Sequence, residues 1–144
     1  MRRCLPALLA LLAINHFANA EGASRTLDNF TQPNAWQAIA TDDISASLHP
    51  ASGPHGKAIC LDFDFNGVSG GPSLRRTLPI TFPDNYALSF DVRGNMPPND
   101  LQLKLIDASG DNVWWYRQEN FRPTDTWQTI TASRRDIVSA WGPA

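Results

Sequence analysis

The chain has 144 residues, with 12 Lys and Arg against 14 Asp and Glu, for a formal net charge of −2. Lys and Arg form no dense basic patch along the sequence. The chain therefore lacks the positively charged surface that nucleic acids require. The length allows one domain with a single core and excludes two.

The first twenty residues have the three-part layout of a secretory signal peptide. Arg2 and Arg3 precede an apolar run, Leu5–Ile14, and the small-residue ending Ala18-Asn19-Ala20 follows. The run is shorter than the about 20 apolar residues that span a bilayer, so we expect no membrane span. Residues 1–20 are therefore predicted to be removed, and the protein to be exported to the periplasm or the extracellular space.

The predicted mature chain, residues 21–144, is expected to form a single domain. Without the signal peptide it has 10 basic and 14 acidic residues, a net charge of −4, and Cys60 as its only cysteine. An intramolecular disulfide is then impossible. The lone thiol is interpreted as a buried small apolar residue.

Alternation of apolar and polar residues is the recurring pattern, and helical periodicity is absent after the signal region. The alternation predicts short strands separated by loops such as Pro50–Gly56 and Asn66–Pro72. Such spacing without crossover helices indicates an all-β fold, an antiparallel β-sandwich or jelly roll. The predicted strands are Ile44–His49, Ala58–Phe65, Leu74–Ile80, Tyr86–Arg93, Leu101–Asp107, Val113–Glu119 and Trp127–Thr131.

The strand Ala58–Phe65 shows how the two faces are expected to divide. Its large apolar side chains fall on one face, while Cys60, Asp62 and Asp64 fall on the other. The two carboxylates are expected to pair with basic residues such as Arg75, Arg76 or Arg93. Neighbouring carboxylates on one strand are a poor match to glycoside hydrolysis, which needs two carboxyl groups about 5 Å or more apart across a bond.

A β-hairpin is predicted where Leu101–Asp107 and Val113–Glu119 flank a loop of turn-forming residues. Pairing Asp107 with Val113 would place Trp115 in the core and Trp114 and Tyr116 on the exposed side. A shift of one residue would exchange the two tryptophans, because side chains alternate with period two.

Landmarks spread along the chain resemble the galactose-binding-like β-sandwich modules of secreted bacterial glycoside hydrolases, which neighbour discoidin-type and other carbohydrate-binding modules. The resemblance spans residues 27 to 143. It is carried by Leu27-Asp28-Asn29-Phe30 with Trp36, Gly56-Lys57-Ala58, Leu61-Asp62-Phe63-Asp64-Phe65, Asn85-Tyr86 with Phe90, Arg93-Gly94, Leu103-Lys104-Leu105-Ile106-Asp107, Gly110-Asp111-Asn112-Val113-Trp114-Trp115, Trp127-Gln128-Thr129 and Ala140-Trp141-Gly142-Pro143.

The resemblance implies three further expectations. Such modules continue into one or two closing C-terminal strands, so the domain is expected to be incomplete, part of a longer gene product that could carry a catalytic domain. They often hold a structural calcium ion near the chain start, for which Asp28, Asp42 and Asp43 are candidate ligands. They bind poly- or oligosaccharides without catalysing a reaction, and related folds serve other functions.

Carbohydrate contact is predicted on the hairpin, with Asp91 and Arg93 sharing that face from the neighbouring strand Tyr86–Arg93. The C–H face of a sugar stacks on an aromatic ring, while amide and charged side chains form hydrogen bonds with its hydroxyls. The alternative is that the aromatic residues only pack in the core. The candidate residues are Trp114, Tyr116, Trp115, Lys104, Gln102, Asp91 and Arg93.

The remaining tryptophans and histidines are expected to have structural roles. Trp36, Trp127 and Trp141 are expected in the core, while His49 and His55 lack the spacing of a metal-binding pair. No catalytic residue is predicted. The competing functions are an accessory fragment of a glycoside hydrolase and a protein-interaction or structural sandwich module.

Overall fold

Nine strands and two single-turn 3-10 helices account for the regular structure of the residues that the structure describes. The computed structural model describes residues 23–41 and 43–143, so the predicted signal peptide and Asp42 lie outside the described residues. The strands are β1 Gln37–Ile39, β2 Ser45–Gly53, β3 Gly56–Asp64, β4 Ser73–Arg75, β5 Ala87–Val92, β6 Asn99–Ile106, β7 Val113–Phe121, β8 Gln128–Ser133 and β9 Val138–Trp141, and the 3-10 turns are Pro33–Ala35 and Arg134–Asp136.

Every strand pairing in the described residues is antiparallel. In this part of the chain four hydrogen-bonded groups form: β1 with β4, β2 with β3, β5 with β8, and a three-stranded sheet in the order β6, β7, β9. The prediction of an all-β, antiparallel fold is confirmed. No helix in this part of the chain is both long and apolar enough to cross a membrane.

Several strands differ from the sequence-based expectation. The predicted loop Pro50–Gly56 is largely strand, because β2 runs on to Gly53 and pairs it with Gly56 around a two-residue turn. A proline at an edge position, as Pro50 is, costs no ladder hydrogen bond. The predicted strand Leu74–Ile80 is reduced to Ser73–Arg75, and β1 and β9 are strands that alternation did not reveal.

The core is built from the inward positions of the paired strands. In β5 and β8, Leu88 lies opposite Ala132 and Phe90 opposite Ile130, while Ser89 and Thr131 face outward and share a hydrogen bond of 2.9 Å. The two strands thus have an inner and an outer face, as side-chain alternation along a strand requires. The buried apolar residues among those described are Ile44, Ala58, Val113, Phe121, Ile130, Ala132 and Ile137.

The register of the β6–β7 hairpin differs by one residue from the predicted one. Ile106, not Asp107, lies opposite Val113, so that Lys104 is opposite Trp115 and Leu105 is opposite Trp114. Asp107 instead belongs to the loop, where its backbone N–H donates to the Asn112 carbonyl at 3.2 Å. The shift exchanges the faces on which the two tryptophans lie.

Strand β9 pairs with the other edge of β7. Val113 lies opposite Trp141 and Trp115 opposite Val138, with an irregularity between Val113 and Trp114. Immediately after β9, Gly142 has a φ of 123° and packs against the β6–β7 loop. This glycine therefore holds the end of β9 close to the hairpin.

We predict that Gly142→Ala destabilises the fold by about 1–3 kcal/mol, because a side chain there must displace tightly packed backbone. Its Cβ would lie 2.5 Å from Asn112 Oδ1 and 2.7 Å from the Asp111 carbonyl oxygen, at a positive φ that L residues avoid. Urea unfolding measures the change. The control is Gly71→Ala, whose Cβ would meet nothing within 4 Å; equal stability of the two variants would contradict the prediction.

Candidate functional site

The outward side of the three-stranded sheet carries the most prominent cluster of aromatic and charged side chains. We call it the aromatic face and define it by Lys104, Trp115, Arg117 and Trp141, with Gln102 beside them. Register places them together, since Lys104 is directly opposite Trp115 and Gln102 directly opposite Arg117.

Two tryptophans form the centre of the aromatic face. The Trp115 and Trp141 rings lie 6.1 Å apart at an interplanar angle of 84°, an edge-to-face arrangement. Trp141 is 50% exposed, and Trp115 is half-buried. The prediction that Trp141 is a core residue is therefore wrong. Trp141 lies on β9 at the edge of the sheet, where its ring meets that of Trp115.

Cationic groups surround both rings. The Lys104 ammonium lies 5.2 Å from the Trp141 ring centroid and 5.8 Å from that of Trp115. The Arg117 guanidinium lies 5.9 Å from the Trp115 centroid. These distances are within the range of cation–π attraction, so the cations help to orient the rings.

Two carboxylates anchor Arg117. Its Nη2 and Nε donate to Asp100 Oδ2 at 2.5 and 3.0 Å, and Nη2 lies 3.3 Å from Glu119 Oε1. The hydrogen bond to Asp100 raises the pKa of Arg117 above its ordinary value, and the charge of Asp100 adds to this. The two carboxylates therefore hold the guanidinium beside Trp115.

Trp114 and Tyr116 lie on the opposite side of the sheet from the aromatic face. They are half-buried opposite Leu105 and Leu103, and the Tyr116 hydroxyl donates to Gln118 Oε1 at 3.3 Å. The prediction of an exposed Trp114 and Tyr116 beside a core Trp115 is therefore wrong. The physical reason is the one-residue difference in register.

Asp91 and Arg93 belong to a different group of strands from the other candidate site residues. Asp91 lies on β5, accepts a hydrogen bond from Thr129 at 2.5 Å and lies 3.2 Å from His55 Nε2. Arg93, just beyond β5, lies 4.9 Å above the Trp127 ring. Since β5 pairs with β8, strand pairing in the described residues does not join these side chains to the aromatic face.

The other two tryptophans expected in the core are partly buried. Trp127 lies beneath Arg93, and Trp36 stacks on Phe30 with ring centroids 5.5 Å apart. The Trp36 Nε1 is a buried polar atom with no hydrogen-bond partner among the described residues.

The candidate calcium ligands are only partly described. Asp28 forms an ion pair with Arg76 and accepts the Phe30 N–H at 2.6 Å, while Asp43 is exposed. Neither belongs to a group of three potential metal ligands in the described part of the chain. Since Asp42 lies outside that part, calcium binding stays a prediction.

A second cluster lies on the outward side of the β2–β3 hairpin. His49 is directly opposite Cys60, and Asp62 follows on the same side of β3. The Asp62 carboxylate lies 2.9 Å from His49 Nδ1 and 4.0 Å from Cys60 Sγ. The prediction that Asp62 pairs with an arginine is thus wrong, since its partner is His49.

The environment of Cys60 disfavours its thiolate form. The side chain is half-buried, and this burial raises the pKa of the thiol. The negative charge of Asp62 raises it further, while the positive charge of Arg93 lowers it.

The loop that sets the β6–β7 register is organised by one carboxylate. Asp107 accepts hydrogen bonds from the Ser109 hydroxyl at 2.7 Å, the Gly110 N–H at 3.0 Å and the Asn112 side-chain amide at 2.7 Å. These bonds lower its pKa from 3.8 to about 2, the Asn112 side chain having the largest effect and Ser109 the next. The Asp107 carboxylate therefore closes residues 107–112 into a six-residue loop between β6 and β7.

Comparison with protein-family models, curated proteins and solved structures gives no match. Function must therefore be inferred from the geometry of these two clusters.

We predict that the ordered Asp107 loop is sensitive to acid. Its folded pKa is depressed, so its stabilising contribution is complete above about pH 4 and is lost as the pH falls through about 2. Carboxyl ¹³C NMR titration measures the pKa directly. Asn112→Ala should raise it toward 3.8, whereas Asp111→Asn, which leaves the Asp107 hydrogen bonds in place, should not raise it. An unchanged pKa in Asn112→Ala would contradict this account.

Proposed function

We propose that the protein is a non-catalytic carbohydrate-binding module of an exported, glycan-active protein, built as a galactose-binding-like β-sandwich. The observation that carries the proposal is the aromatic face, where an exposed Trp141 ring meets Trp115 edge to face beside Lys104. Exposed tryptophan on a sheet surface is uncommon unless it serves a binding surface.

Aromatic stacking would set the orientation of the sugar. The C–H face of a pyranose is apolar and packs on an indole ring, so the exposed Trp141 offers the stacking surface. The perpendicular Trp115 ring supplies a side wall. A ring held between a surface and a wall has fewer orientations than one lying on a single flat ring, which favours selectivity.

Polar groups around the two rings would bond the sugar hydroxyls. Lys104 donates from its ammonium, and Gln102 can both donate and accept through its amide. Both side chains are exposed. Among the described residues Lys104 is in no ion pair, so its charge is available to a hydroxyl or to an acidic substituent of the sugar.

The charge arrangement favours binding over hydrolysis. The two carboxylates beside the aromatic face, Asp100 and Glu119, both contact Arg117. Glycoside hydrolysis needs one carboxyl group on each side of the scissile bond, with one of them protonated. Two carboxylates that share a guanidinium do not present that geometry, which supports a non-catalytic role.

A protein partner is the second candidate, favoured by the aliphatic residues of the same face. Val138 is 53% exposed and Ile106 is 38% exposed, and both border the tryptophans. Sugars gain little from aliphatic neighbours, whereas protein interfaces combine tryptophan, aliphatic side chains and arginine.

We predict that Trp141→Ala and Trp115→Ala each weaken glycan binding by roughly five- to tenfold or more, because a stacking contact contributes about 1 kcal/mol beyond its buried area. A glycan array first identifies a ligand for the wild-type protein, and calorimetry then compares the variants. Trp141→Phe keeps an aromatic ring and should retain most of the affinity.

The control is Phe82→Ala, which removes an exposed aromatic residue that contacts Tyr86 outside the aromatic face. It should bind like the wild type. Loss of binding in Trp114→Ala, with Trp115→Ala and Trp141→Ala unaffected, would contradict the assigned face. Folded protein that binds no glycan would refute the function, and pull-down of a protein partner abolished by Val138→Asp would favour the second candidate.

A further inference from the structure

The cluster His49, Cys60 and Asp62 combines three different metal-ligating side chains on one side of the β2–β3 hairpin. One donor atom from each lies within 4.8 Å of the other two. From this juxtaposition we propose that the hairpin binds a zinc-class divalent cation through the His49 imidazole, the Cys60 thiolate and the Asp62 carboxylate.

The donor distances are close to those of a zinc site. Zn–S bonds of about 2.3 Å and Zn–N or Zn–O bonds of about 2.0–2.2 Å hold neighbouring donors roughly 3–4 Å apart in a tetrahedron. Here His49 Nδ1 lies 2.9 Å from Asp62 Oδ2, and Cys60 Sγ lies 4.0 Å from Asp62 Oδ1. The three donors therefore lie near the spacing that one zinc ion requires.

The backbone preorganises the donors. His49 and Cys60 are directly opposed in the antiparallel pair, and Asp62 lies two residues farther along the same side of β3. A cation bound here would join the two strands across the hairpin. Binding would stabilise the fold without a prior rearrangement of the chain.

Donor chemistry selects the type of cation. A thiolate with an imidazole favours zinc and its neighbours among the transition metals, while calcium and magnesium prefer oxygen ligands alone. Metal binding would release the Cys60 thiol proton to solvent, and the resulting thiolate together with the carboxylate carries two negative charges, which balance a divalent cation. His49 and Asp62 have side chains 53% and 62% exposed, so a fourth position remains open to water.

The metal site is separate from the aromatic face and shares no residue with it. Carbohydrate binding and metal binding can therefore fail independently. A metal-dependent rise in stability with unchanged glycan affinity would assign a structural role to the cation.

Cobalt substitution tests the proposal on the mature protein under reducing conditions. Co²⁺ titrated into metal-free protein should produce a sulfur-to-metal charge-transfer band and visible d–d bands, and Zn²⁺ should displace it. Cys60→Ser should lose the charge-transfer band. His49→Ala should bind at least about tenfold more weakly, since removing even supporting groups costs 10–100-fold in metal affinity.

The matched control is His55→Ala, which removes the exposed histidine at the turn of the same hairpin. It should bind Co²⁺ like the wild type. Because Cys60 is half-buried and its variant could unfold, a second measurement uses the wild-type chain, in which Zn²⁺ should slow alkylation of Cys60 at least several-fold. Absence of the charge-transfer band, unchanged alkylation, or equal affinities of the two histidine variants would each overturn the proposal.

Discussion

The aromatic face depends on how the chain closes between β6 and β7. Asp107 gathers the Ser109 hydroxyl, the Gly110 N–H and the Asn112 side chain, and so ends the ladder at Ile106. Had the ladder extended by one residue, Trp115 would have faced inward. One carboxylate in an exposed loop thus decides which tryptophan is presented, because every side chain of a strand changes face when its register moves by one.

Strand β9 supplies the second tryptophan of the aromatic face. It brings Trp141 to the edge of β7 at the level of Val113, where the ring meets Trp115. Gly142 then turns away with a positive φ, in close contact with the same loop that Asp107 organises. The loop therefore influences both tryptophans of the aromatic face. It sets the register of the strand that carries Trp115, and it packs against Gly142, which follows Trp141.

Sequence reasoning predicted the longer strands, such as β3, β5 and β7, since period-two alternation is a local property, but it missed the short β1 and β9. It could not predict register, because the adjacent Trp114 and Trp115 satisfy the inward position equally well. It placed Trp141 in the core because a tryptophan in a short segment without alternation has no local signal of exposure. His49 and Cys60 were not associated because Pro50–Gly56 has the composition of a loop, and only the cross-strand pairing of β2 and β3 brings them together.

Both clusters illustrate how antiparallel pairing creates chemistry that neither strand contains alone. Lys104 and Trp115 come from opposite strands of one hairpin, and His49 and Cys60 from opposite strands of another. In each case directly opposed residues are close enough for their side chains to act together. The first pairing joins a cation to an indole, which suits an uncharged or acidic polar ligand with an apolar face. The second joins an imidazole to a thiol, which suits a metal ion, so each proposed ligand class rests on one opposed pair.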